Sequence, residues 1–140
     1  MSIQALLFSF QGRIGRKTYW LWNVFYYLAV IGLTVSTGAL FPAYADTLLA
    51  TFLFLLIIPD LAITAKRWHD RDKSSYWLVL TIPLIAARLA SPATMELSSE
   101  PDISMILSSF LGLVCGIWIL VECGFMKGTS GDNQYGPEPK

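Results

Sequence analysis

The chain has 140 residues, is 54% hydrophobic and 14% charged, and balances ten basic against ten acidic side chains for a formal net charge of zero. A soluble domain carries about a quarter charged residues, so this composition excludes an ordinary water-soluble fold, and the neutral balance argues against a nucleic-acid binder. The charge deficit is concentrated in long uncharged runs, the pattern of a polytopic membrane protein.

Residues 1–18 read as an arm, its front half (Ile3 to Phe8) a short interfacial helix. Arg13, Arg16 and Lys17 precede Tyr19, Trp20 and Trp22. Cations followed by aromatics mark a membrane boundary on the cytoplasmic side. No cleavable signal peptide is expected, because the charges follow the first apolar residues instead of leading them.

Four transmembrane helices are predicted, at 19–41, 47–65, 76–93 and 103–126. The first is long enough to cross a hydrocarbon core of about 30 Å. Pro42 and Asp46 make the turn into the second, since proline cannot continue a helix and an acid suits the next N-terminus. The third is the weakest: Pro83 interrupts it, and crossing requires 91–93 to join it while Arg88 snorkels outward. A polar loop with three acids and no base follows, and the fourth helix is strongly apolar. Nine of the ten Lys and Arg then fall in the arm, in the loop 66–75 and in the tail 127–140. The positive-inside rule places both termini in the cytoplasm. The expected fold is therefore an all-α, four-helix membrane bundle forming one domain.

In the last helix Gly112 and Gly116 form a small-xxx-small pair that lets another backbone approach closely, within the chain or in a homo-oligomer. Gly32 and Ser36 of the first helix offer a complementary strip. Cys115 and Cys123 stand eight apart in one apolar run. On a helix that is about 12 Å, too far for a disulfide, so they read as small buried hydrophobes.

Two acids, Asp60 and Glu122, interrupt apolar runs near the cytoplasmic helix ends. Intramembrane carboxylates mark ion or proton paths; structurally, they instead pair with Arg16, Arg67 or Lys127. Asp60, Thr64 and Arg67 share a helix face, so Arg67 is expected to reach toward Asp60. His69-Asp70 suggests a general base and its orienting carboxylate. Adjacent residues do not face each other on a helix, and a single histidine excludes a His-cluster metal site; a solvated interfacial histidine is expected. The tail is dense in turn formers and reads alone as disordered, although Asn133 and Tyr135 offer hydrogen bonds for docking it on the central loop.

Three motifs occur in order: Phe10-x-Gly-Arg-x-x-Arg-x-x-Tyr-Trp20, Lys66-Arg-Trp-His-Asp70 with Ser74, Ser75 and Trp77, and Gly131-x-Asn-x-Tyr-Gly-Pro-x-Pro139. Over essentially its whole length the chain resembles the "domain of unknown function 805" family of small bacterial inner-membrane proteins. It departs from the family pattern at Asp72-Lys73, where members more often have a Gly-containing turn, and at Lys66, where the pair is usually Arg-Arg. The resemblance implies a fold and a compartment, the inner membrane, but no reaction. All three motifs fall on the cytoplasmic face of the expected topology. Arg13, Arg16, Arg67, His69, Asp70 and Asn133 are the candidates for one shared surface there, or for a lock joining the helix ends.

The function expected is that of a non-enzymatic accessory or interaction protein without cofactor, in the lipid bilayer and with a membrane-protein or homo-oligomeric partner. The alternatives are a small oligomeric transporter or channel using Asp60 and Glu122, and a membrane enzyme using His69 and Asp70.

Overall fold

The structure is a computed structural model that describes residues 1–86 and 103–139, and every regular element among them is a helix. The short α1 (Ile3–Phe8) is capped by Ser2, whose hydroxyl accepts from the Ala5 amide at 3.2 Å. After the arm's turn come α2 (Arg16–Leu40), a 3-10 turn at Pro42–Tyr44, and α3 (Ala45–Asp70) with Asp46 in its first turn. The shorter α4 (Ser75–Ala86) opens as a 3-10 helix over Ser75–Leu80. Finally, α5 (Ile103–Ile119) continues as a π-helical turn over Leu120–Phe125.

Among the described residues three helical stretches are long and apolar enough to cross a membrane: Arg16–Leu40, Pro42–Asp70 and Ile106–Phe125. The third predicted span is represented by α4 as far as Ala86. Its remainder (87–93), Arg88 and the acidic loop lie outside the described residues.

Polar and apolar residues are distributed opposite to the soluble pattern. Leu21, Leu28, Val35, Phe54 and Phe110 face outward, as lipid-facing side chains do when no hydrophobic force drives them inward. The most enclosed stretch is the charged one. From Ala62 through Asp70 every residue of α3 is buried, Lys66, Arg67, His69 and Asp70 included. The arm, the start of α4, the end of α5 and the tail surround it on all sides.

Residues 66–70, expected in a loop, are thus the last turns of α3. The helix stops there in a Schellman motif: the Lys73 amide bonds the Trp68 carbonyl and the Asp72 amide bonds that of His69, both at 3.0 Å. Asp72 takes the left-handed conformation this motif demands, with φ 56°. It stands at the turn where the family resemblance leads one to expect glycine. At 26 residues α3 is about 39 Å long, longer than a hydrocarbon core of about 30 Å. A helix of that length extends beyond the bilayer interior.

Small residues act within the chain. A Cβ placed on Gly116 would lie 3.1 Å from Leu84 of α4, and one on Gly124 would lie 3.0 Å from the Trp20 ring of α2. Gly112 is buried beside them in sequence, whereas nothing lies within 4 Å of such a position on Gly32. The strip expected at Gly32 and Ser36 is therefore not what α5 packs against.

Candidate functional site

Asp70 is the point on which arm, α3 and tail converge. Its Oδ1 accepts from Arg13 Nε at 3.1 Å and Nη2 at 2.9 Å, and its Oδ2 accepts from Arg67 Nη1. One carboxylate between two guanidiniums leaves a surplus positive charge and several donors, and the backbone takes them up. Arg13 donates to the carbonyls of Thr129 and Gly131 at 2.7 Å and of Gly136 at 3.1 Å. The Asp70 carbonyl accepts the Thr129 amide at 2.8 Å. The tail crosses so closely that a Cβ on Gly128 would fall 2.1 Å from Asp70 Oδ2. Only glycine fits there.

Arg67 does not reach toward Asp60, as its helical face suggested. Its fork faces Asp70 and the end of α5, donating from Nε to the Cys123 carbonyl at 2.6 Å and from Nη2 to that of Met126. Neighbouring groups complete the series. Trp20 Nε1 donates to the Gly124 carbonyl at 3.0 Å, Arg16 to that of Phe125 at 3.2 Å, and Arg71 to that of Lys127 at 3.0 Å. Carbonyls left without partners at a helix C-terminus carry its negative dipole end. Here five successive ones receive side-chain donors, four of them from arginine.

His69 is buried at 4% exposure, not solvated as expected. Its Nδ1 lies 3.1 Å from the Gly12 carbonyl and its Nε2 2.9 Å from Ser75 Oγ. A carbonyl can only accept, so Nδ1 carries the proton and Nε2 accepts from the serine. Tyr135 lies flat on the imidazole, with centroids 3.9 Å apart and planes 2° apart. The His69 carbonyl receives Asn133 Nδ2 at 2.8 Å, and Asn133 Oδ1 receives the Tyr135 amide at 2.9 Å. The tail is therefore docked, through both residues singled out for it. Burial pulls the His69 pKa below its usual 6.5; the Gly12 hydrogen bond opposes this and Lys66 adds to it.

Lys66, not among the sequence candidates, fixes the arm from the other side. Its ammonium donates to the carbonyls of Ala5 at 3.1 Å, Leu6 at 2.6 Å and Ser9. That is a cation capping the C-terminal end of α1. Its signal was its departure from the family's Arg-Arg pair.

The remaining candidates lie apart from the Asp70 hub. Asp60 accepts from Trp22 Nε1 at 3.1 Å, a bond between α3 and α2. Glu122 pairs with neither Arg16, Arg67 nor Lys127; its Oε2 meets Arg71 Nη2 at 2.9 Å and Lys73 Nζ at 3.1 Å. His69 and Asp70 face different partners, so the imidazole and carboxylate do not form a relay. Among the described residues no three His, Cys, Asp or Glu side chains gather as a metal site. Cys115 and Cys123 are free and buried.

The helices and this sealed end define a small multi-pass membrane protein with one folded cap. The chain belongs to the family described as "Protein of unknown function (DUF805)", which it matches over residues 7–137. It is 32% identical to the uncharacterized protein YiiR of Escherichia coli K12, covering 99% of this chain and 90% of that one. It is 28% identical to the inner membrane protein YhaH (94% and 88% covered) and 25% identical to the inner membrane protein YhaI (100% and 93%), both of the same organism. No solved structure matches it. With three membrane-length helices and these relatives, the chain is a multi-pass protein of the bacterial inner membrane.

Proposed function

We propose that this is a non-enzymatic accessory protein that crosses the inner membrane four times and presents its cap to a membrane-protein partner in the cytoplasm. The observation that carries the reading is the convergence of arm, α3 and tail on Asp70, which puts both ends of the chain at one end of the bundle. The end of α5 and the start of α4 belong to the same cap. Ile103 lies some 34 Å of helix away from it along the 23 residues to Phe125, at the end of α5 opposite the cap, which supports an even number of crossings. The five cations of the arm and of the Lys66–Arg67 pair stand at this end, and the positive-inside rule makes it cytoplasmic.

An accessory role is favoured over chemistry because the titratable groups at the centre of the cap are taken up by one another and by backbone carbonyls. Arg13, Arg67, His69 and Asp70 are each at most 6% exposed. What remains outward is the rigid tail turn, closed by the Asn133–Gly136 bridge and by Glu138 accepting the Gly131 amide at 2.7 Å. A photocrosslinker at exposed Gln134, in cells expressing the chain at its native level, is expected to capture one membrane protein reproducibly. Capture no different from a crosslinker placed at lipid-facing Leu28 would overturn the accessory role. Cysteine labelling at Asp72 and at Ser130 tests the topology separately: accessibility from opposite sides would refute it.

A further inference from the structure

We infer that the rim of the cap around Glu122 is a binding site for the phosphate headgroup of an anionic phospholipid in the adjoining leaflet. The inference needs the cap to meet a membrane surface but does not depend on a protein partner.

The first observation is an uncompensated charge. Arg71 and Lys73 share the single carboxylate of Glu122, and all three side chains are only 17–25% exposed. Arg71 also bonds the Lys127 carbonyl, and Arg16 bonds the Phe125 carbonyl on the same end of α5. Two cations therefore share one acid, and Arg16 and Lys127 belong to the same end of α5. Arg16 and Lys127 are exposed.

The second observation concerns donors. The indole N–H of Trp68 and the Nε–H of Arg71 are buried, and no described group accepts from either. Glu122 Oε2 meets its two cations as ion pairs without hydrogen-bond geometry. An orphaned buried donor costs about 1–3 kcal/mol, and native folds rarely leave one without a partner. A phosphodiester supplies acceptor oxygens and the missing negative charge together.

The third is the frame. Trp68 stacks on Trp77 at 5.4 Å, Trp77 continues to Trp118 at 6.3 Å, and Lys73 Nζ stands 4.5 Å from the Trp77 centroid. On the other flank Trp20 packs edge-on against exposed Phe125 at 5.5 Å. Tryptophan prefers the depth of the headgroups, so this rim is set where lipid phosphates lie. Glu122 then acts as an internal competitor that holds Arg71 and Lys73 in place until a headgroup engages them.

The full chain, released from an equimolar phosphatidylglycerol and phosphatidylcholine bilayer, tests this by native mass spectrometry of retained lipid. Wild type is expected to retain phosphatidylglycerol several-fold over phosphatidylcholine, and Lys127→Gln to lower that ratio by about fivefold, the effect of one cation near an anionic surface. Arg71→Gln with Lys73→Gln brings the ratio to parity. Glu122→Gln raises it, which a purely structural ion pair would not do. Should the double variant fail to fold, Lys127→Gln and Glu122→Gln carry the test. Parity in wild type, no change in Lys127→Gln, or a lower ratio in Glu122→Gln would overturn the proposal. So would erasure of the preference by excess inorganic phosphate at constant ionic strength, because the site would then read phosphate and not lipid.

Discussion

Arg13 and Asp70, fifty-seven positions apart, are joined by two hydrogen bonds to one carboxylate oxygen in a site from which both are almost wholly sealed. Removing the charge of one member strands the others, which costs about 3–5 kcal/mol for a buried pair. Asp70→Asn is therefore expected to lower unfolding free energy in detergent by that order. A mixed-micelle denaturation curve measures it, and a loss under about 1 kcal/mol would mean that water reaches the site.

Gly128→Ala tests how tightly the tail is seated. The added methyl collides with the Asp70 carboxylate, so the tail must lift. Limited proteolysis is expected to cut within 127–139 much faster, while helix content by circular dichroism stays unchanged.

Asp72 holds a left-handed conformation that glycine adopts without steric penalty. Asp72→Gly is expected to stabilise by roughly 0.5–1 kcal/mol, after allowing for the greater freedom of an unfolded glycine. Asp72→Val should destabilise. Thermal midpoints of the two variants, compared with wild type, give the sign directly.

His69 sets the expected pH response. Its pKa is depressed in the folded protein, so the unfolded chain binds the proton first as the medium is acidified. Its contribution to stability is complete above about 6.5 and is lost as pH falls below that value toward the folded pKa. Lys66, whose pKa burial lowers to about 8, stays charged through this window. The tail should become protease-sensitive between pH 7 and 5 in wild type and change less in His69→Gln. An unaltered pH profile in that variant would assign the response elsewhere.

The membrane helices were legible because lipid imposes a simple rule on apolar runs, and α2, α3 and α5 obey it. The end of α3 was not. Hydropathy treats Lys66, Arg67, His69 and Asp70 as solvent-facing, yet they are buried because each finds partners more than fifty residues away. Arg13, Thr129, Gly131 and Gly136 illustrate why those partners escape a reading of sequence: most of the acceptors are backbone carbonyls, which every residue carries. The tail shows the same limit. Its turn-forming composition suits a docked loop and a loose one equally, and only the closeness of Gly128 to Asp70 separates them. Arg71 and Lys73 carried a visible charge, but nothing local paired them with Glu122.

The row of donors on carbonyls 123–127 has a mechanical consequence. A transmembrane helix gripped at five consecutive backbone oxygens cannot slide like a piston, since every bond in the row would break together. Motion of this bundle must fan out from a hinge at the cap, with the largest excursions at the far ends of the helices.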